Sequence, residues 1–217
     1  MDVKPIPGLE HLPYAEVWFH EIDDTRLQEA STAARRLGKT GLEAWTTTRT
    51  PAVAEFLAGR GFGEVRRYVV SELDVAAAPD PGDPAFEIVL LSDRPDLRGS
   101  LYAIARVAYP DQPGRAGTRI DETWFQWGLP GPAFVAVEEG NVLGYGVLEG
   151  FLAVAREARG RGVAGAIKRA EIAWAKANGP TSLTTANEAR LEGMLELNRR
   201  LGYRPLYEEI VLRGPLA

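Results

Sequence analysis

The sequence contains no cysteine and only two histidines, His11 and His20. Disulfides, thiolate metal sites and a cysteine nucleophile are excluded on that ground, as is a histidine-rich metal centre. No apolar run approaches the ~20 residues that span a bilayer, and Met1-Asp2-Val3-Lys4-Pro5 lacks a signal-peptide core. Basic runs are missing too. The net charge is −5, with charges of both signs spread along the chain, which argues against a dedicated nucleic-acid surface. What is present is ordinary globular composition: 217 residues, 45% hydrophobic and 25% charged. That is enough for one large domain or two small ones with a real core. The expectation is a cytoplasmic protein with no metal, membrane or nucleic-acid partner.

Glycine and proline punctuate the chain. Residues 1–13 read as a lead-in and 16–22 as a strand. Asp23-Asp24-Thr25 caps a helix over 26–37, closed by Gly38. A strand at 42–47 and a helix from Pro51 to Gly59 follow, then a strand at 66–75. The Ala/Pro/Asp/Gly stretch 76–84 is the clearest linker. It separates a lobe at 1–75 from a domain at 85–217. In the domain, 86–91 reads as a strand, 95–109 and 121–127 as helices, and 134–137 and 142–148 as strands. The hairpin-length connection Glu138-Glu139-Gly140-Asn141 joins the last two. Glu149-Gly150 is again short enough only for antiparallel pairing with a strand at 151–154. Beyond residue 180 come a strand at 182–187, a helix at 189–201 and a strand at 203–212.

The stretch 154–164 carries the chemistry. Arg156 to Gly160 is charged and ends in glycine, so the chain turns there. From Val163, the residues Ile167, Ala170, Ile172 and Trp174 recur at helical spacing, with polar Lys168, Arg169, Glu171 and Lys176 among them. Asn178-Gly179-Pro180 stops that helix. Strand, Arg/Gly loop and helix together aim free backbone N–H groups and the positive helix end at one spot. A phosphate or pyrophosphate suits it; an ordinary Gly-rich turn is the alternative. The letters Gly160-Arg161-Gly162-Val163-Ala164-Gly165 also satisfy G-x-G-x-x-G. A dinucleotide fold is rejected on context: Arg156 to Arg159 separate the first glycine from the strand, and the next strand at 182–187 ends in no acid.

The better match is R-x-x-G-x-A at Arg159-Gly160-Arg161-Gly162-Val163-Ala164. It resembles the pyrophosphate loop of the GNAT superfamily of N-acetyltransferases, which bind acetyl-coenzyme A. The wider V-x-x-x-x-R-G-R-G register from Val154 and the element order over 85–213 are similar to the family's as well. The resemblance implies an α/β acyl-CoA N-acyltransferase fold, with a mixed, mostly antiparallel sheet flanked by helices. It implies acetyl-CoA as co-substrate and no metal. Backbone groups of Leu152, Ala153 and Val154 would face the thioester, and Arg159, Gly160, Arg161, Gly162, Val163 and Ala164 the pyrophosphate. Asn187 and Asn198 would be side chains against the coenzyme. Many family members carry a tyrosine proton donor four residues before a terminal Gly-aromatic pair. Here the pair is Gly202-Tyr203 and Asn198 stands at that position; an amide is no useful acid.

Glu149 is the best-placed carboxylate for a general base, ahead of Glu138, Glu139 and Asp121. Trp124, Phe125 and Trp127 lie where the family's substrate-covering elements lie, with a core role as the alternative. A shift of 141 residues aligns 34–62 with 175–203 without a gap, Gly38 on Gly179, Arg49 on Arg190, Gly61 on Gly202. The lobe at 1–75 therefore resembles the second half of another GNAT domain, as in tandem acetyltransferases of the mycothiol synthase group. Its own turn, Asp23-Asp24-Thr25-Arg26, is acidic and would repel a pyrophosphate. One coenzyme site per chain is expected, with the lobe's truncated sheet edge covered by the second domain or by a second chain in a homodimer. Two functional readings follow: an N-acetyltransferase acting on a small-molecule or peptide amine, or a non-catalytic acyl-CoA-binding or scaffold protein.

Overall fold

The computed structural model describes residues 1–80, 82 and 85–217, apart from the side chains of Trp124 and Trp127. The linker read at 76–84 thus falls partly outside the described residues, at Pro81, Asp83 and Pro84. In chain order the elements are β1 (Val3–Pro5), β2 (Tyr14–Trp18), α1 (Asp24–Arg36), β3 (Gly41–Thr47), α2 (Pro51–Ala58) and β4 (Gly63–Asp74). There follow β5 (Glu87–Leu90), α3 (Arg98–Ala108), α4 (Glu122–Trp127), β6 (Ala133–Glu138), β7 (Asn141–Val147) and β8 (Leu152–Val154). The chain closes with α5 (Val163–Asn178), β9 (Ser182–Glu188), α6 (Glu192–Arg200) and β10 (Arg204–Pro215). The strands fall into one sheet of order β1-β2-β3-β10-β4-β9 and another of order β5-β6-β7-β8.

By contacts the chain forms two units: Met1–Val70 with Ala186–Glu192 and Pro205–Ala217, and Ser71–Thr185 with Gly193–Arg204. In the first, Asp23 accepts a bond from the Arg26 N–H at 2.8 Å and starts α1, and Pro51 opens α2. The strand expected at 16–22 ends at Trp18, because Phe19 to Ile22 turn toward the Asp23 cap. Alternate residues of β2 and β3 (Ala15, Val17, Leu42, Ala44) pack on Leu27, Ala30 and Ala34 of α1 and Val53 and Leu57 of α2. β10 runs antiparallel to β3 and supplies Ile210 and Leu212 to the same core. The edge of β3 is therefore taken by the last strand of the chain. The ring of Phe62 lies where a side chain at Gly214 would sit, so only glycine fits there.

Shifted by 141 residues, the bounds of β3 and β4 fall on those of β9 and β10, and α2 starts where α6 does. Arg67 and Glu208, which the same shift relates, form an ion pair.

In the second unit the four-stranded sheet is covered on both faces. Val135, Val137, Tyr145, Val147 and Ala153 face α3 and α4, where Leu101, Ala105 and Phe125 meet them. Phe134, Ala136 and Leu143 face α5 through Val163 and Ile167. Ile172 and Ala175, one turn further around α5, pack instead with Leu73, Leu183, Leu201 and Tyr203. The helix expected from 189 begins only at Glu192, since Arg190 is held in a turn by bonds from its N–H and guanidinium to Glu188.

Glu43 is fully buried between Arg66 and Arg213. Glu43→Gln should leave two guanidiniums facing a neutral amide and lower stability by about 3 kcal/mol. Denaturant unfolding reads this as a lower midpoint; an unchanged midpoint would show that the three-charge group contributes nothing.

Candidate coenzyme site

β8 ends at Val154, and a single 3-10 turn (Arg156–Ala158) breaks the strand direction. Gly160 and Gly162 then take left-handed φ values of 77° and 89°. Side chains at either position would be strained, yet a Cβ there would meet nothing within 4 Å. The space over both glycines is open. No side chain caps α5 at Gly162, so the N–H groups of its first turn have no acceptor within the helix. They point, with the positive helix end, into that space.

Charge converges on the same loop. Arg156 bonds Asp111 through Nε at 3.0 Å and through Nη2, and Arg159 Nη2 bonds Asp111 at 2.8 Å. Together, Arg156 first, they hold the Asp111 carboxyl down at about 2. Arg159 Nε also donates to the Val154 carbonyl at 3.2 Å, tying the loop to the strand. Arg161 makes a bidentate pair with Glu138 at 2.7 Å. Beside Arg156, an apolar cavity of about 230 Å³ is lined by Ile104, Val107, Ala108, Val154 and Ala155.

Among the described residues β8 pairs only with β7, as the last strand of its sheet, and β9 is the last strand of the other, with no ladder joining them. At the turn between β7 and β8, Glu149 sits at φ 55°, unusual for a residue other than glycine. Its Oε1 accepts from the Thr184 N–H at 2.7 Å and the Thr184 hydroxyl at 2.9 Å. Glu149 thus straps the turn to the start of β9. Nearby lies a buried polar group that sequence reasoning missed. The Lys168 ammonium is 5.0 Å from the centre of the Tyr203 ring, and burial lowers its pKa. Glu171 is buried too, which pushes its carboxyl up to about 7 against the opposing pull of Lys168. Burial, and then the charges of Glu171 and Glu149, raise the Tyr203 phenol above its ordinary value. A Cβ at Gly146 would lie 2.5 Å from Glu171 Oε1, and Gly146 is the register partner of Leu152. In the sequence Lys168 and Glu171 are only polar residues among the apolar ones of the helix; the signal available was a glycine inside a buried strand facing that helix.

The loop residues Arg159 to Ala164 and the strand residues Leu152 to Val154 are thus brought together. Asn198 is buried on α6 of the same unit. Asn187 is half-buried on β9, in a part of the strand that belongs to the other unit. Glu138 is occupied by Arg161, and Glu139 forms the β6–β7 turn at φ 50°. Phe125 is core, packed against Tyr102 and Tyr145. The readings of the Trp124 and Trp127 side chains lie outside the described residues. Among the described residues no cluster of His, Asp or Glu has metal-binding geometry, and no helix is long and apolar enough to cross a membrane.

No family model and no curated protein matches this sequence. Solved structures do match in shape. A GCN5-related N-acetyltransferase from Sphaerobacter thermophilus superposes with TM-score 0.72 at 16% identity, over 99% of this chain and 76% of that one. One from Kribbella flavida gives 0.65 at 16% identity, over 98% and 84%. A tandem GNAT protein from the clavulanic acid biosynthesis pathway gives 0.66 at 18% identity, over 95% and 76%. At such identities the likeness is one of fold: the chain has the GNAT acyltransferase fold.

Glu171 makes a pH test. Its carboxyl titrates near 4.5 when unfolded and about 7 when folded, so between those values the folded state binds the extra proton. Stability from this group is therefore lost as pH rises from about 4.5 to 7. Glu171→Gln should flatten the dependence of the melting temperature over that window; an identical slope in the variant would place the titration elsewhere.

Proposed function

We propose that the chain is an acetyl-CoA-dependent N-acetyltransferase that moves an acetyl group to a primary amine of a small molecule or peptide. The observation that carries this reading is the Arg/Gly loop leading from the terminal strand β8 into the uncapped start of α5. The open space over Gly160 and Gly162 fits a pyrophosphate, held by the N–H groups of the loop and of Val163 and Ala164. Bound acetyl-CoA supplies the activated acetyl thioester. The free edge of Leu152 to Val154 offers backbone N–H and C=O groups to the pantetheine amides and an N–H to the carbonyl oxygen as charge develops on it. When the amine nitrogen bonds to the acetyl carbon and the C–S bond breaks, the nitrogen loses a proton and the thiolate leaves. Glu149 is the proton acceptor in this reading, through Thr184 or water. Water protonates the thiolate, because Asn198 stands where a donor is needed. A location in the cytoplasm is part of the same proposal.

The segment 1–75 is read as a truncated second copy of the fold, of the tandem, mycothiol synthase-like kind. The 141-residue coincidence of element bounds and the Arg67–Glu208 pair support it. The copy would hold no coenzyme, since the start of α1 is occupied by the Asp23 carboxylate. In these terms the lobe is residues 1–75, the linker 76–84 and the coenzyme-binding domain 85–217. The second reading, a non-catalytic acyl-CoA binder, is favoured by Asn198.

The test is coenzyme A thiol release from acetyl-CoA across a panel of primary amines. At least one amine should stimulate release, and Glu149→Gln should lower kcat about 100-fold with acetyl-CoA affinity retained. Binding without release for any amine would favour the non-catalytic reading. Full activity in Glu149→Gln would remove Glu149 from the chemistry.

A further inference from the structure

α5 covers one face of the four-stranded sheet, but not its full width. Its apolar side lies on Phe134 and Ala136 of β6 and Leu143 of β7 through Val163 and Ile167. A helix is about 10 Å across and strands are ~4.8 Å apart, so the terminal strand β5 is left at the margin. The side chains that β5 turns toward α5, Ile88 and Leu90, are only half-buried, as are Ala170 and Trp174 on the helix. Between these residues lies a cavity of about 340 Å³. Phe134 borders it and meets the Trp174 ring edge-on, with centroids 6.3 Å apart. The volume is at the lower end of the ~300–1,000 Å³ typical of small-molecule sites.

Arg169 borders the same cavity and is the one charged residue among the described residues that line it. It is half-buried and has no acidic partner, hydrogen bond or ring contact among the described residues. Its guanidinium folds back along the helix, with Nη1 lying 3.4 Å from where a Cβ at Gly165 would sit. The chain carries 30 acidic residues against 25 lysines and arginines, yet none of those acids meets this guanidinium. A single planar fork matches one carboxylate bidentately, whereas a phosphate dianion would leave charge unmatched. An anion there gains charge-assisted bonds partly shielded from water, and an apolar body attached to it covers Ile88, Leu90 and Trp174.

We propose that this cavity binds a small carboxylate with a short apolar body, the carboxylate on Arg169 and the body between β5 and α5. The same guanidinium repels a cationic amine, so this is not the place of an acceptor amine. The proposal does not rest on the coenzyme reading, because the cavity lies along α5 beyond its first turn and uses none of the loop glycines.

Octanoate is the probe, titrated calorimetrically into the full chain beside octan-1-ol and octylamine. The wild type should bind one octanoate per chain, octan-1-ol about tenfold more weakly and octylamine not at all. Arg169→Gln should bring octanoate down to the affinity of the alcohol and leave the alcohol unchanged. Ala173→Trp, at an exposed position lining the cavity, should fill it and abolish both. No octanoate binding by the wild type, or undiminished binding in either variant, would overturn the proposal. So would displacement of octanoate by acetyl-CoA, which would put the carboxylate in the coenzyme cleft. Octanoate binding in a chain that takes up no acetyl-CoA would uphold this site and count against the coenzyme reading alone.

Discussion

The proposed site depends on a ladder that, among the described residues, does not form. β8 ends one sheet and β9 ends the other, although one helix is all that separates them in the chain. An unpaired strand edge carries N–H and C=O groups that need partners. Leaving it open is tolerable only for a short strand, and β8 has three residues. In the proposed reading that opening takes an extended ligand with amide groups of its own. Glu149 strapped to Thr184 bounds the split at the turn before β8, and the Arg/Gly loop marks its other end.

β10 completes the first unit by pairing with β3, and the order of the larger sheet sets β4 beside β9. Buried charge accompanies that pairing: Glu43 draws Arg66 and Arg213 toward it from two other strands. Such groups contribute little net stability compared with apolar packing, but they penalise any register that would leave one of them unpaired.

Much of this could be read from local chemistry. The helix at 163–178 starts and stops where Gly162 and Gly179 take left-handed φ, and a glycine at each end between polar and apolar runs is visible in the letters alone. The element order over 85–213 was equally plain, because each short connection permits only one neighbour. Long-range features were not. Nothing local reveals that β10 lies against β3, nor that Asp111 reaches Arg156 and Arg159 some 45 and 48 residues on. The burial of Lys168 and Glu171 could not be read from the helix pattern, because a helix wheel cannot tell which flank a second core will cover. Their burial between the sheet face and the Leu183/Tyr203 cluster is a tertiary outcome.

The most direct test of the central claim is a calorimetric titration of acetyl-CoA into the purified chain beside a Gly162→Glu variant. A glutamate there would place a carboxylate in the open space above the loop and force a left-handed φ on a residue that resists it. The account predicts one site per chain in the wild type and none in the variant, with both proteins folded by circular dichroism. No binding by the wild type, or undiminished binding by the variant, would contradict it.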